Sequence, residues 1–155
     1  MTRIRAATVH DVDALLELRA VMFAAMDIHL ADNWQGPCRH ILLDGLASGD
    51  LIGAIAETDD STIVASAIAA IHRWLPSPSN PSGLKGYVGS MATREPWRRR
   101  GIGRRVAQHL IDTLATRGVT EIELHATEAG EGMYRSLGFD NDNNTTPLTL
   151  HAEAD

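Results

Sequence analysis

Cysteine is almost missing from this chain: Cys38 is the only one in 155 residues. A lone thiol closes no internal disulfide, so the fold has to stand on core packing, and a reducing compartment, the cytoplasm, is the expected location. Long apolar runs are missing too. Stretches such as Ile63–Ile71 fall well short of the ~20 residues that cross a bilayer, and the opening Met-Thr-Arg-Ile-Arg has none of the apolar core of a secretory signal. No membrane partner is expected. The seven histidines stand at no metal-ligand spacing from carboxylates or from Cys38, so no metal site is expected. Internal repeats and low-complexity tracts are absent.

What is present describes an ordinary globule. With 44% hydrophobic and 22% charged residues, the chain reads as a single compact domain over residues 1–155. Charge is informative by location. The window Arg94–Arg105 holds six arginines against one acid, Glu95, a local +5 in a chain whose net charge is −6. The remainder therefore carries −11. Nucleic-acid binders spread basic charge over a whole face and interleave aromatics with it, and this acidic remainder would repel a phosphate backbone. One compact anion suits the focused patch better, and a cationic partner such as an amine suits the rest.

Patterning gives a mixed α/β order. Thr2–Ala6 alternates like a short strand. Thr8 and Asp11 form a capping box ahead of a helix over about 9–26. A second helix is expected from His40 to Ala47, stopped at Ser48-Gly49. Leu51–Glu57 and Thr62–His72 read as a hairpin. Three prolines between Trp74 and Gly86 make an extended loop, and Tyr87–Thr93 resumes as a strand. From Gly101 to Arg117 the apolar residues Ile102, Val106, Leu110 and Leu114 recur every four positions, a helical stripe. Glu121–Ala126 alternates as a strand. A short helix is expected over about Gly130–Leu137, and a last strand over Thr146–His151.

The chemistry concentrates between the strand ending at Thr93 and the helix opening near Gly101. The first turn of a helix offers amides without internal partners at the positive end of the macrodipole. Glycines 101 and 103 let a phosphate oxygen reach those amides, and arginines add charge-assisted hydrogen bonds. A pyrophosphate is the natural guest. The Walker pattern is absent, and a dinucleotide fingerprint would need a glycine where Val106 stands. The run Arg98-Arg99-Arg100-Gly101-Ile102-Gly103 fits Arg/Gln-x-x-Gly-x-Gly/Ala instead.

That run, set between "YVGSMAT" and "EIELHAT" and followed by "GMYRSLGFD", resembles the GNAT superfamily of acyl-CoA-dependent N-acetyltransferases. The likeness is detailed from Tyr87 to Phe139. It implies the GNAT fold, a mixed and mostly antiparallel sheet splayed between its fourth and fifth strands and flanked by helices. It implies acetyl-CoA as co-substrate and a small-molecule or peptide amine as acceptor, and it admits a homodimer. Met91 and Thr93, with Ala92 between them, would meet the acetyl group and pantetheine arm. Arg98, Arg99, Arg100, Gly101, Ile102, Gly103 and Arg104 would surround the pyrophosphate, mostly through main-chain amides. Tyr134 would protonate the departing thiolate. Many relatives carry a basic glutamate on the fourth strand, but Lys85–Thr93 contains no carboxylate. Glu123, His125, His72 and Glu57 stay open as the base, as does water. The missing carboxylate also keeps a non-catalytic acyl-CoA-binding domain as the alternative, ahead of a nucleic-acid module built on Arg94–Arg105.

Overall fold

The structure, a computed structural model, describes residues 1–142 and 144–154. Two compact units are present, Met1–His125 and a second that begins at Ala126. The first holds β1 (Thr2–Ala6), α1 (Val12–Ala25), α2 (Gln35–Ser48), β2 (Leu51–Thr58), β3 (Ile63–Arg73), β4 (Leu84–Thr93), α3 (Ile102–Thr116) and β5 (Glu121–Leu124). The second holds α4 (Glu128–Ser136). The five strands form one sheet in sequence order. Pairings β1–β2, β2–β3 and β3–β4 are antiparallel, and β4–β5 is parallel. A parallel neighbour requires a crossover, and α3 supplies it.

Strand alternation divides the core between two faces. On one, Ile52, Ala54 and Ala56 of β2 and Val64, Ala65, Ala67 and Ala69 of β3 pack with α3's Ile102, Val106, Leu110 and Leu114. Alanine recurs in β2 and β3 at this face, and its small side chain lets the helix approach closely. On the other face Ile55 and Ile68 meet Val12, Leu15 and Leu16 of α1 and Leu42 of α2. Each large side chain buried in this way contributes about 1.5–3 kcal/mol.

The start of α1 is fixed by charge. Thr8 and Asp11 form the expected capping box around a one-turn 3-10 helix, Val9–Asp11. Arg5 on β1 grips both Asp11 oxygens at 2.9 Å and reaches Glu57 on β2 at 3.2 Å. Burial alone would push the Asp11 carboxyl up. Hydrogen bonds from Arg5 and the Thr8 amide outweigh it, and the group sits below the ordinary carboxylate value.

Three expectations from sequence need correction. The second helix begins at Gln35, five residues before His40, because proline and glycine in a first turn cost no hydrogen bond; Gly36 and Pro37 mask the start. The fourth strand begins at Leu84 rather than Tyr87, since Leu84, Lys85 and Gly86 pair with Arg73, His72 and Ile71. No strand forms over Thr146–His151. Pro147 has no N–H to give a ladder, and Leu148 and Leu150 stay about nine-tenths exposed, with no apolar surface to select a face.

The Arg5–Asp11 clamp gives a stability prediction. Asp11→Asn should lower unfolding free energy by about 1–2 kcal/mol at pH 7, through the lost charge-assisted hydrogen bonds. Because the folded-state carboxyl value is depressed, its stabilisation is complete above the unfolded value and disappears as pH falls through the folded one. Urea midpoints of parent and variant should therefore differ at pH 7 and converge as pH falls below the ordinary carboxylate range.

Candidate active site

β4 is paired along its whole length on one edge and only half of it on the other. Its partners on β3 run from Arg73↔Leu84 to Ala65↔Thr93. On the β5 side the pairs are Lys85↔Glu121, Gly86↔Ile122, Tyr87↔Glu123 and Val88↔Leu124, and there β5 ends. From Gly89 onward β4 has no strand partner on this edge among the described residues. The β3 register confirms a bulge at the same point, because Ile68 faces Ser90 while Ala69 faces Val88, leaving Gly89 unmatched.

The direction of the orphaned groups follows from one bond. The Arg94 amide donates to the Val64 carbonyl across the β3 edge at 2.8 Å. Successive peptide groups of a strand alternate between edges. Ala92 and Ser90 therefore bond towards β3, while the peptide groups of Met91 and Thr93 aim at the edge that β5 has left. The Thr93 carbonyl on that edge accepts from Arg98 Nε at 2.9 Å. Of the three strand residues expected at the cofactor, Met91 and Thr93 present backbone to the gap, and Ala92 is buried with its amide turned to β3.

Beyond Thr93 a 3-10 turn, Glu95–Trp97, leads into a curl that opens α3. Arg99 (φ 61°) and Gly101 (φ 74°) are both left-handed, flanking Arg100. Such alternation turns successive N–H groups into an anion-binding concavity. The first helical hydrogen bond runs from the Arg105 amide to the Gly101 carbonyl at 3.2 Å, so the amides of Ile102 and Gly103 precede the ladder. No acid sits in this first turn. A Cβ on Gly101 would meet nothing within 4 Å, which leaves room for a phosphate oxygen, whereas one on Gly103 would touch Thr93 Oγ1 at 3.4 Å and Met91 Cε at 3.5 Å. The first glycine serves the backbone angle and the opening. The second serves the contact between helix and strand.

The arginines divide their work in a way the sequence hid. Arg94 bonds the Ile63 carbonyl and Glu17, Arg98 the Thr93 carbonyl, and Arg105 the Thr2 carbonyl and hydroxyl. Arg100 lies over the Trp97 ring at 5.3 Å. Much of the positive patch is thus engaged with neighbouring carbonyls, Glu17 and the Trp97 ring.

Tyr134 lies in the second unit, on α4, whose N-cap Thr127 accepts from the Gly130 amide at 3.2 Å. Its ring meets Phe139 edge-on at 5.9 Å. Burial pushes its phenol above the ordinary tyrosine value, which keeps the proton on oxygen near neutral pH. Among the candidate bases, Glu57 is held by Arg3 and Arg5, Glu123 by Lys85, His72 is exposed opposite Lys85, and His125 lies edge-on to Tyr87. Sequence reading overlooked the Gly89 bulge and Tyr87. A glycine inside a strand pattern, as in Gly-Tyr-Val-Gly-Ser, was the available signal.

Comparison with known proteins agrees with the resemblance carried by the sequence. The model of the acetyltransferase (GNAT) family matches residues 15–139. The chain belongs to that family. Its fold closely follows a predicted acetyltransferase from Clostridium acetobutylicum solved with acetyl-CoA: TM-score 0.86, 26% identity, 97% of each chain covered. A GCN5-related N-acetyltransferase from Ralstonia eutropha gives TM-score 0.83 and 26% identity over 96% of this chain and 99% of that one. A glucosamine-6-phosphate N-acetyltransferase from Arabidopsis thaliana shares the fold at 15% identity, with TM-score 0.71 over 100% and 99% of the two chains. No curated protein matches by sequence. Acetyl-CoA is the co-substrate of this GNAT acetyltransferase. Among the described residues no helix is long and apolar enough to cross a membrane, and no group of three or more His, Cys, Asp or Glu is placed to hold a metal.

The two glycines should separate in a stability test. Gly101→Ala forces a Cβ into left-handed backbone and should cost about 1–2 kcal/mol. Gly103→Ala meets only ordinary contacts and should change stability by less than about 0.5 kcal/mol. Denaturant midpoints of the two variants check the assignment.

Proposed function

We propose that this chain is one N-acetyltransferase domain over residues 1–155, moving the acetyl group of acetyl-CoA onto a primary amine by direct attack. The observation that carries the reading is β4, with Met91 and Thr93 backbone facing an edge that β5 has vacated, running into the Gly101 opening. In this reading Arg98–Arg104 surround the pyrophosphate, mostly through main-chain amides, with Gly101, Ile102 and Gly103 at closest approach. From Thr93 back to Gly89 is about 13 Å of strand, along which Met91 and Thr93 would guide the pantetheine arm. Strand amides near the bulge would steady the developing oxyanion. Tyr134 would give its proton to the departing thiolate. The acidic remainder of the chain favours a cationic acceptor, small molecule or peptide, met in the cytoplasm.

The absent β4 carboxylate favours one rival, a domain that binds acyl-CoA without turning it over. A screen of a broad amine panel for acetyl-CoA-dependent thiol release separates the two. Thiol release with any amine supports the enzyme; an acetyl-CoA thermal shift without release across the panel supports the rival.

Tyr134→Phe keeps the ring and removes only the hydroxyl. With the best acceptor found, kcat should fall about 10²–10⁴-fold, with KM for acetyl-CoA little changed. Steady-state kinetics measures both. A kcat within about threefold of the parent, with chemistry rate-limiting, would leave Tyr134 a packing residue.

A further inference from the structure

Acetyl transfer to an amine needs a group that takes the proton of the acceptor's ammonium, and the structure separates the side chains that sequence leaves open. Glu57 is clamped by Arg3 at 2.7 Å and Arg5 at 3.2 Å, on a strand two places from β4. Hydrogen bonds from Arg5 and then Arg3 hold its carboxyl below the ordinary value. Glu123 receives Lys85 Nζ at 3.1 Å, and the same ammonium holds Glu121. His72 stands opposite Lys85, three residues and so about 10 Å of strand short of Val88, where the sheet parts.

His125 is placed differently. It follows Leu124, the last residue of β5 paired to β4, and so stands where the gap begins. Its ring meets Tyr87 edge-on, with centroids 5.8 Å apart at 82°. The Tyr87 ring lies along the bulge, for a Cβ at Gly89 would touch its Cε1 at 3.4 Å. Gly86 and Val88 on either side pack towards α3, so Tyr87 takes the opposite face. That is the face where Ser90 reaches Met22 of α1. Bulge, Tyr87 and His125 form one row beside the gap. His125 is exposed, and no described residue hydrogen-bonds its ring nitrogens.

We propose that His125 is the general base, accepting the acceptor's ammonium proton at the mouth of the gap between β4 and β5, with the Tyr87 ring orienting the imidazole. The assignment rests on the acetyl-transfer reading above. A neutral imidazole nitrogen takes one proton from the ammonium and later returns it to solvent. The freed lone pair forms the C–N bond as the C–S bond breaks. The second nitrogen proton balances the one that the departing thiolate takes up, so amide, thiol and one released proton account for every atom. Histidine suits the role because a neutral imidazole offers one ring nitrogen with a free lone pair. The other titratable groups of this sheet face are His72, Lys85, Tyr87, Glu121 and Glu123 on the gap side, and Arg3, Arg5 and Glu57, which clamp one another on the far strands β1 and β2. The charges of α1 are engaged elsewhere, Asp13 with Arg39, Glu17 with Arg94, and Arg19 over Phe23.

The test compares parent and His125→Gln by thiol release from pH 6 to 10, with acetyl-CoA and the best amine of the panel. At pH 7 the variant should lose about 10²–10⁴ in kcat/KM while keeping the parent's acetyl-CoA thermal shift. The deficit should narrow as pH approaches the amine's own value, where free amine needs no base. An active parent matched within about threefold by the variant, or a deficit constant across pH, overturns the base role. A parent that releases no thiol with any amine overturns the acetyl-transfer reading, and this assignment with it.

Discussion

The parting of β5 from β4 is the constraint on which the rest of the site depends. A strand edge inside a fold carries N–H and C=O groups that need partners. β3 pairs with one edge of β4 from Leu84 to Thr93, apart from the bulge at Gly89. On the other edge β5 stops after four pairs, and the backbone of Met91 and the Thr93 amide are left facing outward, the Thr93 carbonyl being taken by Arg98. Gly89 marks the change, because its bulge re-aims the strand where the pairing ends. A ligand with its own amides, lying alongside that edge, would complete the ladder.

The turn after β4 extends the same logic to charge. Positive side chains beside a helix N-terminus oppose the macrodipole, so a cluster of arginines there is costly in isolation. The cost is reduced because Arg94, Arg98 and Arg105 are tied to carbonyls of Ile63, Thr93 and Thr2. Of these bonds, that of Arg98 closes the stretch just before the curl in which Arg99 and Gly101 are left-handed. A diphosphate would offset the remaining field and meet amides already in place, the kind of preorganisation that makes binding efficient.

Much of this was legible in the residues. The four-residue spacing of Ile102, Val106, Leu110 and Leu114 announces α3, and the Arg-x-x-Gly-x-Gly run announces what its start can hold. The capping box at Thr8 and the stop at Gly49 appear as read. The splay was available only through resemblance, because periodicity shows that a strand exists and says nothing of how far its neighbour accompanies it. The separate tasks of the arginines were hidden because their partners lie up to a hundred residues away in sequence. Alternation misled at Thr146–His151, where Pro147 interrupts the donors and no apolar surface receives Leu148 and Leu150. Gly36 and Pro37 concealed the first turn of α2 because both are poor helix formers in the interior and harmless at the start.

Amide hydrogen exchange with and without acetyl-CoA tests the central claim most directly, since it reads the backbone groups that the site is built from. The account predicts added protection confined mainly to Gly89–Thr93 and to Arg99–Arg104, with β1 and β2 unchanged. Protection elsewhere that leaves both of those segments exchanging as in the free protein would contradict it.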